Sequence, residues 1–309
     1  MAASLKTKRL NDEMMKNLFL LFLLIASNKL TAQTGYYITS LDSTKLYVQE
    51  FGSGEPIIIL AGGPGLNAIY MKPVWENLSS KFRCIILDQR GTGKSILTTI
   101  DSSSVSLRNY VNDLEALRGY LKIDKLTLIG HSWGGGLSLE YAARHPNHVK
   151  RLILLGSRGP TKKFLAYLSD NFFMRLHDED LREMAVLDSL KKDRMKGFWP
   201  AYFFDRKKAL ETKATTNFDE LTGEYTKIRR FVDYSSTDDE RIKLLKKFKG
   251  AVYIIQGRQD PIGESTVYEL KELMPHSKVF FIEKCGHLPW LENPKQVTVF
   301  FTTLNDCLK

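Results

Sequence analysis

The sequence predicts an α/β fold: a mostly parallel sheet flanked by helices, with a helical lid inserted late in the chain. Three observations predict it. Short apolar runs rich in β-branched residues recur along the chain, and they are continuous rather than alternating, as expected of strands covered on both faces. Segments of helical spacing separate these runs, and strand–helix alternation implies parallel pairing through crossover helices. The alternation stops between residues 160 and 249, where charged and aromatic residues dominate, and it resumes after Gly250.

Each element follows from its residues. Positions 36–51 carry partly alternating apolar side chains such as Leu46 and Val48, which suits a half-buried hairpin. Strands are expected at residues 56–60, 84–87, 126–129, 152–155, 252–255 and 279–282. Residues 107–121 place Val111, Leu114, Leu117 and Leu121 at helical spacing. A further helix over residues 137–144 opens behind a glycine cluster and stops at Pro146. Residues 33–159 and 250–309 therefore read as one core, and residues 160–249 as its helical lid.

The chain has 309 residues, 43% apolar and 26% charged, an ordinary globular composition with length enough for a large core. Its net charge of +10 is scattered, apart from small clusters at residues 207–208 and 246–249. Without a basic arm or an aromatic–basic repeat, this reads as solvated surface, and no nucleic-acid partner is expected. Near the N-terminus, Lys16 precedes an apolar run over residues 18–26 that is too short to span a bilayer. Small residues follow as far as Ala32, so residues 1–32 read as a signal peptide cleaved before Gln33. Translation could start at Met1, Met14 or Met15. The expected location is periplasmic or secreted, with no membrane span after cleavage; the alternative is a retained N-terminal anchor. Of the three cysteines, Cys84 lies in a strand-like run, and Cys285 and Cys307 are the pair that could bridge. No metal-ligand spacing occurs, and neither a metal nor an organic cofactor is expected.

The stretch CIILDQRGTGKS at residues 84–95 ends like a phosphate-binding loop. The loop's first glycine position is taken by Asp88, whose carboxylate would repel a phosphate, so a nucleotide site is not expected. Gly130-His131-Ser132-Trp133-Gly134 is different. It is a G-x-S-x-G pattern between a strand and a helix, where the turn is so tight that glycines are required and the serine hydroxyl is presented above the sheet. Ser132 is read as a nucleophile, with the following helix N-terminus favouring developing negative charge.

A serine needs a base. Among six histidines, His145 and His148 flank Pro146, His177 lies in the charged segment, His276 follows Pro275 at a turn, and His131 adjoins the nucleophile and should pack. His287 follows a strand near the C-terminus, as the order Ser…Asp…His requires, and is taken as the base. Asp260, just past the strand at 252–255, is taken as its partner, with Glu283 and Glu292 as rivals. The oxyanion would be met by the backbone N–H groups of Gly63, in Gly62-Gly63-Pro64-Gly65, and Trp133.

With these pieces in hand, the chain resembles an α/β-hydrolase, and more narrowly the prolyl aminopeptidase (proline iminopeptidase) family of serine hydrolases. The matching pieces are Gly62-Gly63-Pro64-Gly65, Asp88-Gln89-Arg90-Gly91, Gly130-His131-Ser132-Trp133-Gly134-Gly135, Gly257-Arg258-Gln259-Asp260 and Gly286-His287-Leu288-Pro289-Trp290. The resemblance implies an acyl-enzyme peptidase releasing N-terminal proline or a similar residue, with acidic lid side chains holding the free amine. Asp205, Glu211, Glu220, Glu224 and Asp233 are the available acids, and Asp205 and Glu224 are taken for that role beside Trp199 of the aromatic run 198–204. Ala61 stands where the family usually has histidine. The alternative substrate is an ester or other small acyl compound bound in an apolar lid pocket.

Overall fold

The computed structural model describes residues 34–232 and 238–309. The export signal expected at residues 1–32, and Asp233, lie outside the described residues. The chain opens with β1 (Thr34–Thr39), β2 (Lys45–Phe51) and β3 (Glu55–Leu60), then α1 (Lys72–Leu78), β4 (Phe82–Leu87), α2 (Leu107–Leu121) and β5 (Leu126–His131). Next come α3 (Trp133–Arg144) and β6 (Val149–Leu155). The stretch that follows contains α4 (Leu165–Phe173), α5 (Asp178–Ser189), α6 (Met195–Phe198), α7 (Arg206–Thr215), α8 (Phe218–Thr222), α9 (Tyr225–Phe231) and α10 (Asp238–Leu245). The core resumes with β7 (Ala251–Gly257), α11 (Ser265–Leu273), β8 (Lys278–Ile282) and α12 (Pro294–Leu308).

The eight strands form one sheet in the order β1-β2-β4-β3-β5-β6-β7-β8. Pairing is antiparallel from β1 through β2 to β4 and parallel from there to β8. The continuous apolar runs are central for the reason the sequence suggests: Ile57, Ile58 and Ile59 point to alternate faces, and all three are fully buried. Each such burial stabilises by about 1.5–3 kcal/mol. Two cores result. One contains Ile58, Leu128 and Leu152 with Leu114 and Leu117 of α2; the other contains Ile57, Ile129 and Ile153 with Phe300 and Leu304 of α12.

One difference from the sequence reading has a clear cause. The helix expected at residues 137–144 begins at Trp133, so the glycines are its first turn. Glycine's low helix propensity is overridden by contact, because a Cβ on Gly134 would overlap the carbonyl oxygens of Leu60 and Ala61. The Cys285–Cys307 bridge is not formed: all three thiols are free and buried. Burial pushes the Cys84 thiol up to about 12 and the Cys307 thiol up to about 11.

Between β6 and β7, every regular element among the described residues is a helix or helical turn. Buried Arg241 of α10 ties this stretch down: it reaches Glu140 of α3 at 2.7 Å and the Pro160 carbonyl at 2.8 Å. No helix among the described residues is long and apolar enough to cross a membrane.

Candidate active site

Ser132 sits between β5 and α3 with φ 53° and ψ −113°, a left-handed backbone that side chains rarely adopt. Its N–H donates to Leu155 O at 2.9 Å. Gly130 is obligatory because a Cβ there would overlap the Gly134 backbone. The turn therefore holds its strained serine through glycines on either side.

Asp260 follows β7, and His287 lies in the loop after β8. His287 Nδ1 donates to Asp260 Oδ2 at 2.8 Å, and both residues are buried. Asp260 Oδ1 accepts the Ile262 N–H at 2.8 Å, which fixes the carboxylate. Gly156, just past β6, gives the pair its room: a Cβ there would come within 2.6 Å of Asp260 Oδ2 and 2.9 Å of His287 Nδ1. Glu292, one rival for Asp260, instead holds the loop, accepting the N–H groups of Gly286 and Phe204 at 2.8 Å each. Burial raises its carboxyl above the usual range. Glu283, the other rival, is paired with Arg258 at the surface.

Ser132, His287, Gly63 and Trp133 share the wall of a cavity of ≈ 810 Å³. A smaller chamber of ≈ 40 Å³ adjoins the same serine and histidine, and Tyr70, His131 and Trp199 line it. A buried chain of hydrogen bonds runs beneath. The Gly62 N–H donates to Tyr70 Oη at 2.7 Å, Tyr70 Oη lies 2.7 Å from His131 Nδ1, and His131 Nε2 lies 3.0 Å from His287 O. Only one proton arrangement satisfies all three contacts. The His287 carbonyl can only accept, so His131 carries its proton on Nε2, and Nδ1 accepts from Tyr70. Burial first, and the neighbouring His287 second, hold His131 well below its ordinary value, so it is neutral. The Gly62 amide is thus committed to Tyr70, and the next residue, Gly63, lines the cavity wall.

Gln89 braces the same loop from the other side. Its Nε2 donates to Ala61 O at 2.9 Å, and its Oε1 accepts the Trp133 indole N–H at 3.2 Å. The turn at residues 88–95 is a structural brace: Asp88 Oδ2 accepts the Lys94 N–H at 2.8 Å, and buried Arg90 pairs with Asp113 at 2.5 Å.

The expected substrate-binding residues divide. Trp199 is buried, donates to Thr212 Oγ1 at 3.0 Å and touches the inner chamber. Asp205 instead caps α7 through the Lys208 N–H and binds Asn293 at 2.9 Å. Glu224 pairs with Lys227 on the surface and lines a different depression. Among the described residues, neither acid borders the cavity of Ser132. Helix capping and surface pairing occupy these two, and acid content alone could not reveal that. The acids that do border it are Asp188 and Asp193.

Sequence reasoning missed Tyr70, Gly156 and Arg158 as site residues. Gly156 carried a readable signal, a glycine at the carboxyl end of a strand beside the nucleophile strand. Tyr70 and Arg158 carried none, because their positions depend on contacts between distant segments.

The fold and the site together define a serine hydrolase of the α/β class. The family described as the alpha/beta hydrolase fold matches residues 55–294, and the chain belongs to it. Within it, the chain resembles prolyl aminopeptidases. The proline iminopeptidase of Lactobacillus helveticus is 27% identical over 267 residues, covering 79% of this chain and 87% of that protein. A 2-hydroxy-6-oxo-2,4-heptadienoate hydrolase of Pseudomonas putida is equally similar, 27% over 268 residues, with 84% and 91% covered. A cis-3-alkyl-4-alkyloxetan-2-one decarboxylase of Shewanella oneidensis is 34% identical over a match spanning 39% of this chain and 38% of that protein. An esterase from Exiguobacterium antarcticum superposes with a TM-score of 0.63 at 22% identity, over 88% of this chain and 98% of that one, a likeness of fold.

Proposed function

We propose that this chain hydrolyses small acyl compounds, esters above all, through an acyl-enzyme on Ser132. The observation that carries the reading is the shared cavity wall, which holds both a strained serine and a buried histidine bonded to a buried carboxylate. Because Asp260 accepts the Nδ1 proton, the His287 Nε2 lone pair is the available base. As Ser132 Oγ attacks the carbonyl carbon, Nε2 takes the hydroxyl proton. The oxyanion draws on the N–H groups of Gly63 and Trp133, each worth about 3 kcal/mol in such sites. Collapse expels the leaving group with the proton from Nε2. Water, deprotonated by the same nitrogen, then releases the acid and restores the serine.

The wall favours esters over peptides because Phe164, Leu168, Phe172 and Phe198 give it an apolar side, which suits an acyl chain. The second reading, release of N-terminal proline, is supported by the full-length proline iminopeptidase relative and the shared motifs. One panel tests both: proline 4-nitroanilide beside short-chain 4-nitrophenyl esters, with wild type and Ser132→Ala. Ester turnover should exceed arylamide turnover. Ser132→Ala should lower kcat by about 10⁴-fold or more with thermal unfolding unchanged. Retained activity in that variant would remove the nucleophile, and selective arylamide cleavage would restore the peptidase reading.

A further inference from the structure

The cavity wall has an unbalanced charge. Among the described residues it carries five cations, Arg158, Lys192, Arg194, Arg229 and Arg230, against two anions, Asp188 and Asp193. Both carboxylates are already engaged. Asp188 accepts two hydrogen bonds from Arg194, one to each oxygen. Asp193 accepts the Met195 N–H at 2.7 Å on one oxygen and the Thr226 hydroxyl at 2.7 Å on the other. An incoming ammonium would share these oxygens with the donors already on them and sit among arginines.

Arg158 is the wall cation that packs against the nucleophile elbow. It is only 7% exposed, and its guanidinium lies 4.8 Å from the ring centre of Trp133, the residue after the nucleophile. Its backbone N–H donates to Ser132 O at 3.3 Å, which fixes the main chain of Arg158 beside the elbow. The nucleophile helix makes space for it, since a Cβ on Gly136 would overlap Arg158 Nε. A guanidinium keeps its charge when buried and binds carboxylates through paired N–H donors. A charge fixed in a low-dielectric wall acts on a ligand far more strongly than one in water. Arg229 and Arg230, on α9, add to the same potential from another element of the wall.

We infer that the substrate carries a negative charge, a carboxylate or an anion of similar size, on the part that occupies the outer cavity, facing Arg158 and Arg230. The inference rests on the acyl-hydrolase reading and sharpens it: the substrate is an amphiphile whose apolar stem meets the phenylalanines and whose anion meets the arginines. It also explains why the acids expected to hold an amine are found elsewhere.

The test compares mono-4-nitrophenyl glutarate with its methyl ester, which replaces the carboxylate by a neutral ester one methyl larger, each corrected for its spontaneous hydrolysis, with proline 4-nitroanilide as a third substrate. Wild type should prefer the anionic ester by about tenfold or more in kcat/KM, and raised salt should shrink that preference. Arg230→Gln, at an exposed position, should lower kcat/KM for the anionic ester about threefold more than for the methyl ester. Arg158→Gln should lower the preference further, with a circular-dichroism melt to confirm folding. Equal or faster turnover of the methyl ester by wild type overturns the anion proposal alone. If a fluorophosphonate fails to label Ser132 and no substrate is turned over, the hydrolase reading itself falls, and the proposal with it.

Discussion

The carboxyl rim of the sheet and the helical stretch between β6 and β7 border one cavity, yet they are built on opposite plans. The rim is held by backbone and buried polar contacts: Ser132 N–H to Leu155, Gly62 N–H to Tyr70, His287 to Asp260. Its side chains have little freedom to move. The helical stretch holds itself by surface ion pairs such as Arg206–Glu179 and by aromatic contacts such as Phe172 against Tyr202, with ring centres 4.8 Å apart. Surface pairs contribute about 0–1 kcal/mol each. Where the two regions meet near the site, a backbone bond and a ring stack join them: the His287 N–H donates to Tyr202 O at 2.6 Å, and the Tyr202 ring stacks on the His287 imidazole. The chemistry is thus placed by rigid parts, while the substrate's other contacts come from a surface that can change residue by residue at small cost to folding.

The largest effect that would break this contrast comes from one methyl group. Gly134→Ala puts a Cβ into the carbonyls of Leu60 and Ala61 at the point where α3 passes the sheet. Backbone cannot yield as a flexible side chain can, so the substitution should cost about 3 kcal/mol or more and appear as lost soluble protein or a lower denaturation midpoint. Gly119→Ala is the control. It lies near the exposed end of α2 with open space around it, and it should stabilise by about 0.5–1 kcal/mol. Equal stability of the two variants would show that the glycine at the elbow is not sterically required.

This contrast also explains what could be read in advance. The strands, the elbow, His287 and Asp260 were legible because each obeys a local rule: continuous apolar runs, glycines flanking a serine, a histidine after the last strand. The helical stretch offers no such rule. Asp205 and Glu224 matched the chemistry an amine would need, but one was already capping α7 and the other pairing with Lys227. Arg158 gave no sign of its role because its importance lies in the space that Gly136 leaves for it. Turns that bend backbone leave a mark in nearby sequence; a cavity wall assembled from four separate helices does not.

A middle-sized effect is expected at Tyr70, where the rim depends on a side chain rather than on glycine. Tyr70→Phe keeps the ring and removes the hydroxyl that joins Gly62 to His131. Two buried groups lose their partner, each at about 1–3 kcal/mol. If the chain positions the oxyanion loop, kcat for a nitrophenyl ester should fall by about tenfold with KM little changed. Stability should fall too, by an amount a melt would register. A variant that loses stability but keeps kcat would make this chain structural only.

The smallest effect belongs to the helical stretch. Phe172 is half-buried, touches Phe198 and Tyr202, and faces the cavity. Phe172→Ala removes apolar surface from a site already open to water, so folding should lose only about 1 kcal/mol, a few degrees at most in Tm. Its kinetic signature should depend on substrate length: KM for a hexanoyl ester should rise several-fold, while that for an acetyl ester stays within about twofold. Because Phe172 makes no contact with Ser132 or His287 in the ring pairings and bonds described, kcat for acetate should be unchanged. If acetate turnover falls as far as hexanoate turnover, the aromatic wall is part of the catalytic frame, and the separation between a rigid rim and a replaceable wall does not hold.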